Sequence, residues 1–339
     1  MLAVVVALVV GGITRLTESG LSITEWKPVS GVLPPLNDAD WEAALAQFRQ
    51  IPQARTVHAG ITLERFKVIY FWEWMHRVLA RGVGLVIALP FFWLWWRRRL
   101  PETLTLRLAA LPVLVAAQGA LGWYMVQSGL SERTSVSQYR LTAHLALALV
   151  IYVVAAWTAF RLRATDATSR EEAALPGAQP PVDRGALAVA ALVFVVILTG
   201  GFVAGLDAGL VYNTWPSMGG AFIPPTYGDL VPAWRNVFEN RAAVQFNHRL
   251  LAYVTLAVAL ALAWARSRSR RQSRADSGAS RRAWRWIPLA ALLQVALGVA
   301  TVVLYVPIPV AALHQLGAVL LLTAALHAAA GGGATRPGA

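Results

Sequence analysis

The sequence predicts an all-α membrane protein with eight transmembrane helices, arranged as two pseudo-symmetric four-helix bundles. Three observations lead to this prediction: the apolar composition, the length of the apolar segments and an internal repeat. Of the 339 residues, 57% are hydrophobic and only 14% are charged, whereas a soluble domain carries about 25% charged residues. The mean hydropathy is +0.53. These figures exclude a soluble enzyme with one buried core, a disordered chain and a coiled coil.

Eight apolar segments approach or exceed the length of about 20 residues that a transmembrane helix needs. They cover residues 1–13, 70–96, 104–126, 140–160, 185–206, 242–265, 286–306 and 310–330. The first segment is too short to span and lacks the charged start of a signal peptide, so we expect a truncated or misplaced start. It still counts as a span, because the internal repeat gives it a full-length partner.

The net charge of +13 has a topological explanation. The connections after the even-numbered spans hold most of the Arg residues, including Arg97, Arg98 and Arg99, whereas the other connections are close to neutral. By the positive-inside rule, the Arg-rich side and both termini are cytoplasmic. Loops 14–69 and 207–241 are then outside, and no nucleic-acid partner is expected.

The second half of the chain repeats the first in parallel orientation. Gly11-Gly12-Ile13 recurs as Gly200-Gly201-Phe202, Glu73-Trp74-Met75-His76-Arg77 as Gln245-Phe246-Asn247-His248-Arg249, Gln118-Gly119-Ala120-Leu121-Gly122 as Gln294-Val295-Ala296-Leu297-Gly298, and His144 as His314. Four helices in each half insert the same way, as in parallel-repeat membrane proteins. The predicted domains are an N-terminal half 1–162, a cytoplasmic linker 163–184, a C-terminal half 185–330 and a flexible tail 331–339.

Four of the six histidines obey this repeat. His76, His144, His248 and His314 each lie in the first turns of an even-numbered span, so all four are expected near the outer face. Ionisable residues inside a span are functional candidates, because their burial is expensive. The alternative is that each His only bonds a neighbouring helix.

Paired histidines facing each other across a four-helix bundle suit haem iron, because the porphyrin supplies the other four nitrogens. Zinc fits less well, since each pair offers two nitrogen ligands and no clear third. Cysteine is absent, which excludes thiolate ligands, iron–sulfur clusters and disulfides. Arg77 and Arg249 directly follow a His and could bind haem propionates, or else lipid phosphate or backbone groups.

The two halves differ beside the first histidine of each pair. Glu73 precedes His76 by three residues on the same helix face, whereas the equivalent residue before His248 is the neutral Gln245. A carboxylate in one half only suggests one reactive half and one electron-carrying half. Glu73 could instead be an interfacial residue that favours the start of its helix.

Taken in order along the chain, these motifs resemble the haem A synthase family. The resemblance rests on the run from Gly11 to Ser22, Trp26-Lys27-Pro28, Pro34-Pro35-Leu36, Glu73-Trp74-Met75-His76-Arg77, Asn213-Thr214-Trp215-Pro216, Gln245-Phe246-Asn247-His248-Arg249 and His314-Gln315. Each motif alone has low specificity, but their order over nearly the whole chain is specific.

The resemblance implies oxidation of a methyl group of haem O to a formyl group, which gives haem A for terminal oxidases. It implies a haem B cofactor held by His248 and His314, a haem O substrate received by His76 and His144, and an essential carboxylate at Glu73. Some family members carry a cysteine pair in an outer loop. Since this chain has none, it is expected in the cysteine-free branch, where a step through that pair cannot operate.

The same resemblance implies a place in the bacterial inner membrane, with haem O synthase and oxidase assembly factors as candidate partners. The electron donor and a homo-oligomeric state stay open. The residues alone also allow a di-haem b-type electron-transfer protein or a haem chaperone. A carrier of charge across the membrane would place its haems toward opposite faces, which the shared height of the four histidines disfavours.

Overall fold

The protein is all-helical in this computed structural model, which describes residues 1–27, 30–131, 133–171, 181–269 and 278–331. Its helices are α1 Leu2–Leu16, α2 Asp38–Phe48, α3 Pro52–Thr56, α4 Leu63–Trp96, α5 Glu102–Leu130, α6 Gln138–Glu171, α7 Arg184–Gly205, α8 Arg235–Glu239, α9 Arg241–Ser269, α10 Gly278–Val303 and α11 Ile308–Ala329. Within the described ranges, β pairing is limited to one bridge between Met218 and Ala221. The predicted all-α class is therefore confirmed, whereas the arrangement of eight spans as two four-helix bundles stays a prediction.

Seven helices in the described part of the chain are long and apolar enough to cross a membrane, and the protein is a multi-pass membrane protein. They are α4 to α7 and α9 to α11. The predicted first span forms α1, whose 15 residues rise about 22 Å and fall short of the hydrocarbon core. Helix α1 packs along α4, and Thr14 donates a hydrogen bond across to the carbonyl of Trp72.

The chain divides into two compact units. The first unit comprises Met1–Tyr152 with Ala204–Leu206, and the second comprises Val153–Val203 and the described residues after Leu206. The domain bounds expected from the repeat stay a prediction. Residues 172–180 of the expected linker, 270–277 of the Arg-rich connection and 332–339 of the expected tail lie outside the described residues.

The first unit carries a packed cap where the sequence predicted only a loop. Helices α2 and α3 lie in the connection between α1 and α4, and Asn37 caps α2 by accepting a hydrogen bond from the backbone N–H of Asp40. Phe48, Phe66 and Leu45 are almost completely buried in one apolar cluster that also includes Leu21 and Ala54 of α3. The start of α4 therefore belongs to this cap, and the helix begins seven residues earlier than predicted.

The second unit also has an ordered connection before its first histidine-bearing helix. The side chain of Asn240 accepts hydrogen bonds from the backbone N–H groups of Ala242 and Ala243, and so caps the start of α9. The same side chain donates to the carbonyl of Thr226 at 2.6 Å and to Asn236 at 2.9 Å. These bonds join the connecting segment to the helix that carries Gln245, His248 and Arg249.

Candidate functional site

Glu73 and Arg77 on α4 bind the first connecting segment, residues 17–62. Glu73 is 2% exposed, and its Oε2 accepts hydrogen bonds from the hydroxyl of Ser22 and the backbone N–H of Ile23, both at 2.8 Å. Its Oε1 accepts from Nε of Arg77 at 3.1 Å and from Nη2 at 2.6 Å. Arg77 also donates to the carbonyls of Ile23 and Glu25. Both carboxylate oxygens are thus occupied one helical turn before His76.

Gln245 and Arg249 on α9 make the equivalent contacts with the second connecting segment, residues 207–240. Arg249 donates to the carbonyl of Tyr212 at 2.7 Å and to that of Thr214 at 2.9 Å. Gln245 is 1% exposed, and its amide nitrogen donates to the same carbonyl of Tyr212 at 3.0 Å. Each Arg therefore clamps two loop carbonyls that lie two residues apart in the sequence.

The expected role of Arg77 and Arg249 toward haem propionates stays a prediction. The structure contains the alternative interaction, with backbone groups, because both guanidinium groups donate hydrogen bonds to loop carbonyls. A guanidinium has five N–H donors, and the hydrogen bonds of Arg77 use four of them. One N–H of Arg77 therefore remains for a further acceptor.

His248 on α9 and His314 on α11 face each other inside the second unit. Their ring centres lie 6.4 Å apart, and the ring planes are nearly perpendicular at 88°. A metal–imidazole bond is about 2 Å long, and a ring centre lies about 1 Å beyond its nitrogen. Two imidazoles on opposite sides of one iron would therefore have centres about 6 Å apart. The observed spacing fits a bis-histidine haem.

His76 on α4 and His144 on α6 are the corresponding histidines of the first unit. Nδ1 of His76 donates to the carbonyl of Ala7 on α1 at 3.2 Å. A proton on Nδ1 leaves the lone pair of Nε2 free for a metal. The tautomer of His76 therefore suits an iron ligand.

The hydroxyl of Thr199 on α7 fixes the same tautomer at His248. This hydroxyl donates to the carbonyl of Val196 at 2.8 Å, and so accepts from Nδ1 of His248, also at 2.8 Å. Among the described residues, no group of three or more His, Asp or Glu side chains is placed to hold a metal ion. Two imidazoles suffice where a porphyrin supplies the remaining four nitrogens.

Two glutamines and four glycines next to the histidines escaped the sequence-based assignment. Gln118 and Gln294 lie within hydrogen-bonding distance of His144 and His314, and Gly11, Gly122, Gly200 and Gly298 each lie against one of the four imidazoles. The sequence contained a signal for them, because all six belong to the repeated motifs. These residues were not predicted because the repeat alone does not show which helices pack against each other.

Comparison with known proteins shows the family of this chain. The family model described as "Cytochrome oxidase assembly protein" matches residues 1–326. A protein of Parvibaculum lavamentivorans named "Heme A synthase" is 45% identical over 95% of this chain and 89% of its own length. The "Heme A synthase" of Nitrosospira multiformis is 44% identical over 94% of this chain and 87% of its own.

A third relative with that name, from Rhodopseudomonas palustris, is 47% identical over 94% of this chain and 85% of its own length. No solved structure matches the chain. The resemblance read from the motifs is confirmed by these matches, which cover nearly every described residue of both units. The chain therefore belongs to the cytochrome oxidase assembly protein family.

Proposed function

We propose that this protein is a haem A synthase, a membrane-bound oxidoreductase that converts a methyl group of haem O to the formyl group of haem A. The observation that carries the proposal is the spacing of the His248 and His314 rings, 6.4 Å between centres, in a chain whose relatives bear that name. The repeat supplies a second histidine pair, His76 and His144. This reaction needs one histidine pair for a resident haem cofactor and a second pair for a haem substrate, and the chain has two such pairs.

In this proposal His248 and His314 are the axial ligands of a haem B cofactor, and His76 and His144 receive haem O. The iron–porphyrin supplies the redox chemistry when it is bound. The contribution of the chain is to bind the two haems, to orient them and to set the charge around them. The difference between Glu73 and Gln245 assigns the reactive role to the N-terminal pair.

Glu73 acts mainly by positioning in this scheme. Both of its oxygens bind the first connecting segment or Arg77, so the carboxylate fixes Ser22 and Ile23 one turn from His76. A segment held in this way excludes water from the substrate edge and fixes the distance to the reacting methyl group. Arg77 would bind a haem propionate through its one remaining N–H. Arg249 would do so through the N–H groups that do not donate to the carbonyls of Tyr212 and Thr214.

The proposed location is the bacterial inner membrane, with the Arg-rich connections in the cytoplasm and the histidine pairs toward the outer face. The substrate partner is haem O, and haem O synthase and oxidase assembly factors are candidate protein partners. The alternatives are a di-haem b-type electron carrier and a haem chaperone. The buried charge at Glu73, which its counterpart Gln245 lacks, favours an enzyme, because two haem sites that only carry electrons need no such difference.

The test is expression of the chain in a bacterial strain that makes haem O but lacks its own haem A synthase, followed by chromatography of the extracted pigments. A haem A synthase restores haem A and depletes haem O. An electron carrier or a chaperone leaves haem O as it was in the empty strain. Haem A that stays absent, in cells where the chain is present in the membrane, would refute the proposal.

A further inference from the structure

The repeated motif from Gln118 to Gly122, and from Gln294 to Gly298, has no role in the function proposed above. In the second unit it forms one turn of α10 that lies against His314 on α11. A Cβ atom on Gly298 would lie 2.9 Å from Cε1 of His314, well inside the normal carbon contact of about 3.5–4.0 Å. The imidazole therefore occupies the space that any larger residue would fill.

Gln294 holds the same ring from one turn earlier on α10, since residues four apart share a helix face. Its amide nitrogen lies 3.0 Å from Nδ1 of His314 and donates to the carbonyl of His314 at 2.7 Å. Its Oε1 is buried without a hydrogen-bond partner among the described residues. The ring of His314 therefore contacts a glycine at Cε1 and an amide nitrogen at Nδ1.

The first unit repeats this arrangement on α5 and α6. A Cβ on Gly122 would lie 2.9 Å from Cε1 of His144. The amide nitrogen of Gln118 lies 3.1 Å from Nδ1 of His144 and 3.3 Å from Nε2, and it donates to the His144 carbonyl at 3.0 Å. The Oε1 of Gln118 is also buried without a partner in the described part of the chain.

His76 and His248 also lie against glycines, but their polar partners are oxygen atoms and not amide nitrogens. A Cβ on Gly11 would lie 2.8 Å from Cε1 of His76, and one on Gly200 would lie 3.2 Å from Cε1 of His248. Four residues before Gly11, the carbonyl of Ala7 accepts from Nδ1 of His76. Directly before Gly200, Thr199 accepts from Nδ1 of His248. All four rings therefore share a glycine contact at Cε1.

We infer that these glycines and their polar neighbours are positioning residues, which form four imidazole cradles that aim Nε2 of each histidine at a haem iron. The inference rests on the proposed function, because it concerns how the ligands of that function are held. Iron bound at Nε2 leaves a proton on Nδ1 that needs an acceptor. At His76 and His248 the structure supplies this acceptor, in the carbonyl of Ala7 and the hydroxyl of Thr199. At His144 and His314 the glutamine amide instead donates to the carbonyl of the histidine itself, and so joins the helix that carries the glycine to the helix that carries the ring.

The test compares purified Gly298→Ala and Gly119→Ala proteins with the wild type by haem B content and by the low-spin absorption and EPR spectra. Alanine favours a helix by about 1 kcal/mol over glycine, and a Cβ on Gly119 meets nothing within 4 Å. Gly119→Ala should therefore keep the haem B of the wild type. Gly298→Ala displaces the His314 ring, and haem B retention should fall about 10-fold or more.

A second variant, Gln294→Leu, removes the amide without filling the glycine space. Without the amide, the His314 carbonyl loses its hydrogen bond and the imidazole loses its polar neighbour at Nδ1. The orientation of the ring toward iron should change, and the midpoint potential of the bound haem B should shift from the wild-type value. This potential decides the matter if Gly298→Ala does not fold. Wild-type spectra for Gly298→Ala, or a wild-type potential for Gln294→Leu, would refute the inference of the imidazole cradles. Neither result would affect the proposed function. A wild-type chain that binds no haem B would overturn the proposed function itself.

Discussion

Glu73 and Gln245 occupy equivalent positions in the repeat, but they bind their connecting segments with opposite polarity. Glu73 accepts from the N–H of Ile23, whereas Gln245 donates to the carbonyl of Tyr212. The neighbouring Arg77 and Arg249 make the same carbonyl clamp in both halves. The halves therefore share the clamp and differ in one charge, next to the first histidine of each pair.

The substitution Glu73→Gln tests the importance of that charge. Glutamine keeps the volume but loses the ion pair with Arg77 and one of the acceptor oxygens, so the Ser22–Ile23 segment loosens. A misplacement of about 1 Å costs roughly 10²-fold in rate, so the ratio of haem A to haem O in the complemented strain should fall by about that factor. Haem B content should stay at the wild-type level, since its ligands lie in the other unit.

The matched control for this experiment is Glu64→Gln, an exposed glutamate in the first turn of the same helix. It should leave the ratio of haem A to haem O unchanged. If Glu73→Gln also gave the wild-type ratio, neither the charge nor the anchoring of the segment would matter for the reaction, and the assignment of a reactive N-terminal half would lose its support.

At the scale of elements, hydropathy predicted all seven long membrane helices but missed the cap, and α4, α6 and α10 extend well beyond the predicted segments. The sequence suggested a span at 70–96, whereas α4 begins at Leu63. The added turns contain Glu64, Arg65 and Lys67, and charged residues of this kind are typical of a loop. Phe66 and Ile69 in the same turns nevertheless belong to the apolar cluster. The cap helices α2 and α3 depend on that long-range packing, which local periodicity does not reveal.

This longer helix corrects the expected place of His76. The prediction put all four histidines in the first turns of their helices, and His144, His248 and His314 follow it. His76 lies more than three turns after the start of α4, because the first turns of that helix belong to the cap. A depth near the outer face is still expected for His76 if the cap lies outside the hydrocarbon core.

The orientation of the helices is open to a direct test with reporter fusions. A reporter placed at Arg98, between α4 and α5, should lie in the cytoplasm, and one placed at Asp229, before α9, should lie outside. The excess of Arg on the first side is the physical reason. The opposite pattern, measured with one enzyme active only outside and one active only inside, would place the histidine pairs toward the cytoplasm.

At the scale of the whole chain, the repeat predicted four candidate haem ligands from the sequence, because the same residue types recur with the same spacing. The contacts that support each ligand were not predictable. Gly298 and Gln294 touch His314 only because α10 packs against α11, and a single sequence does not specify the rotation of one helix against another. The duplication therefore selects the candidate histidines, and the packing shows which residues lie against each of them.

The central claim is that the two histidine pairs have different tasks, and the haem content of two double variants tests it most directly. His76→Ala with His144→Ala should keep the haem B of the purified protein and abolish conversion of haem O. His248→Ala with His314→Ala should lose haem B, measured by pigment extraction and by the low-spin absorption spectrum. Full haem B in the second double variant, or its loss in the first alone, would contradict the account.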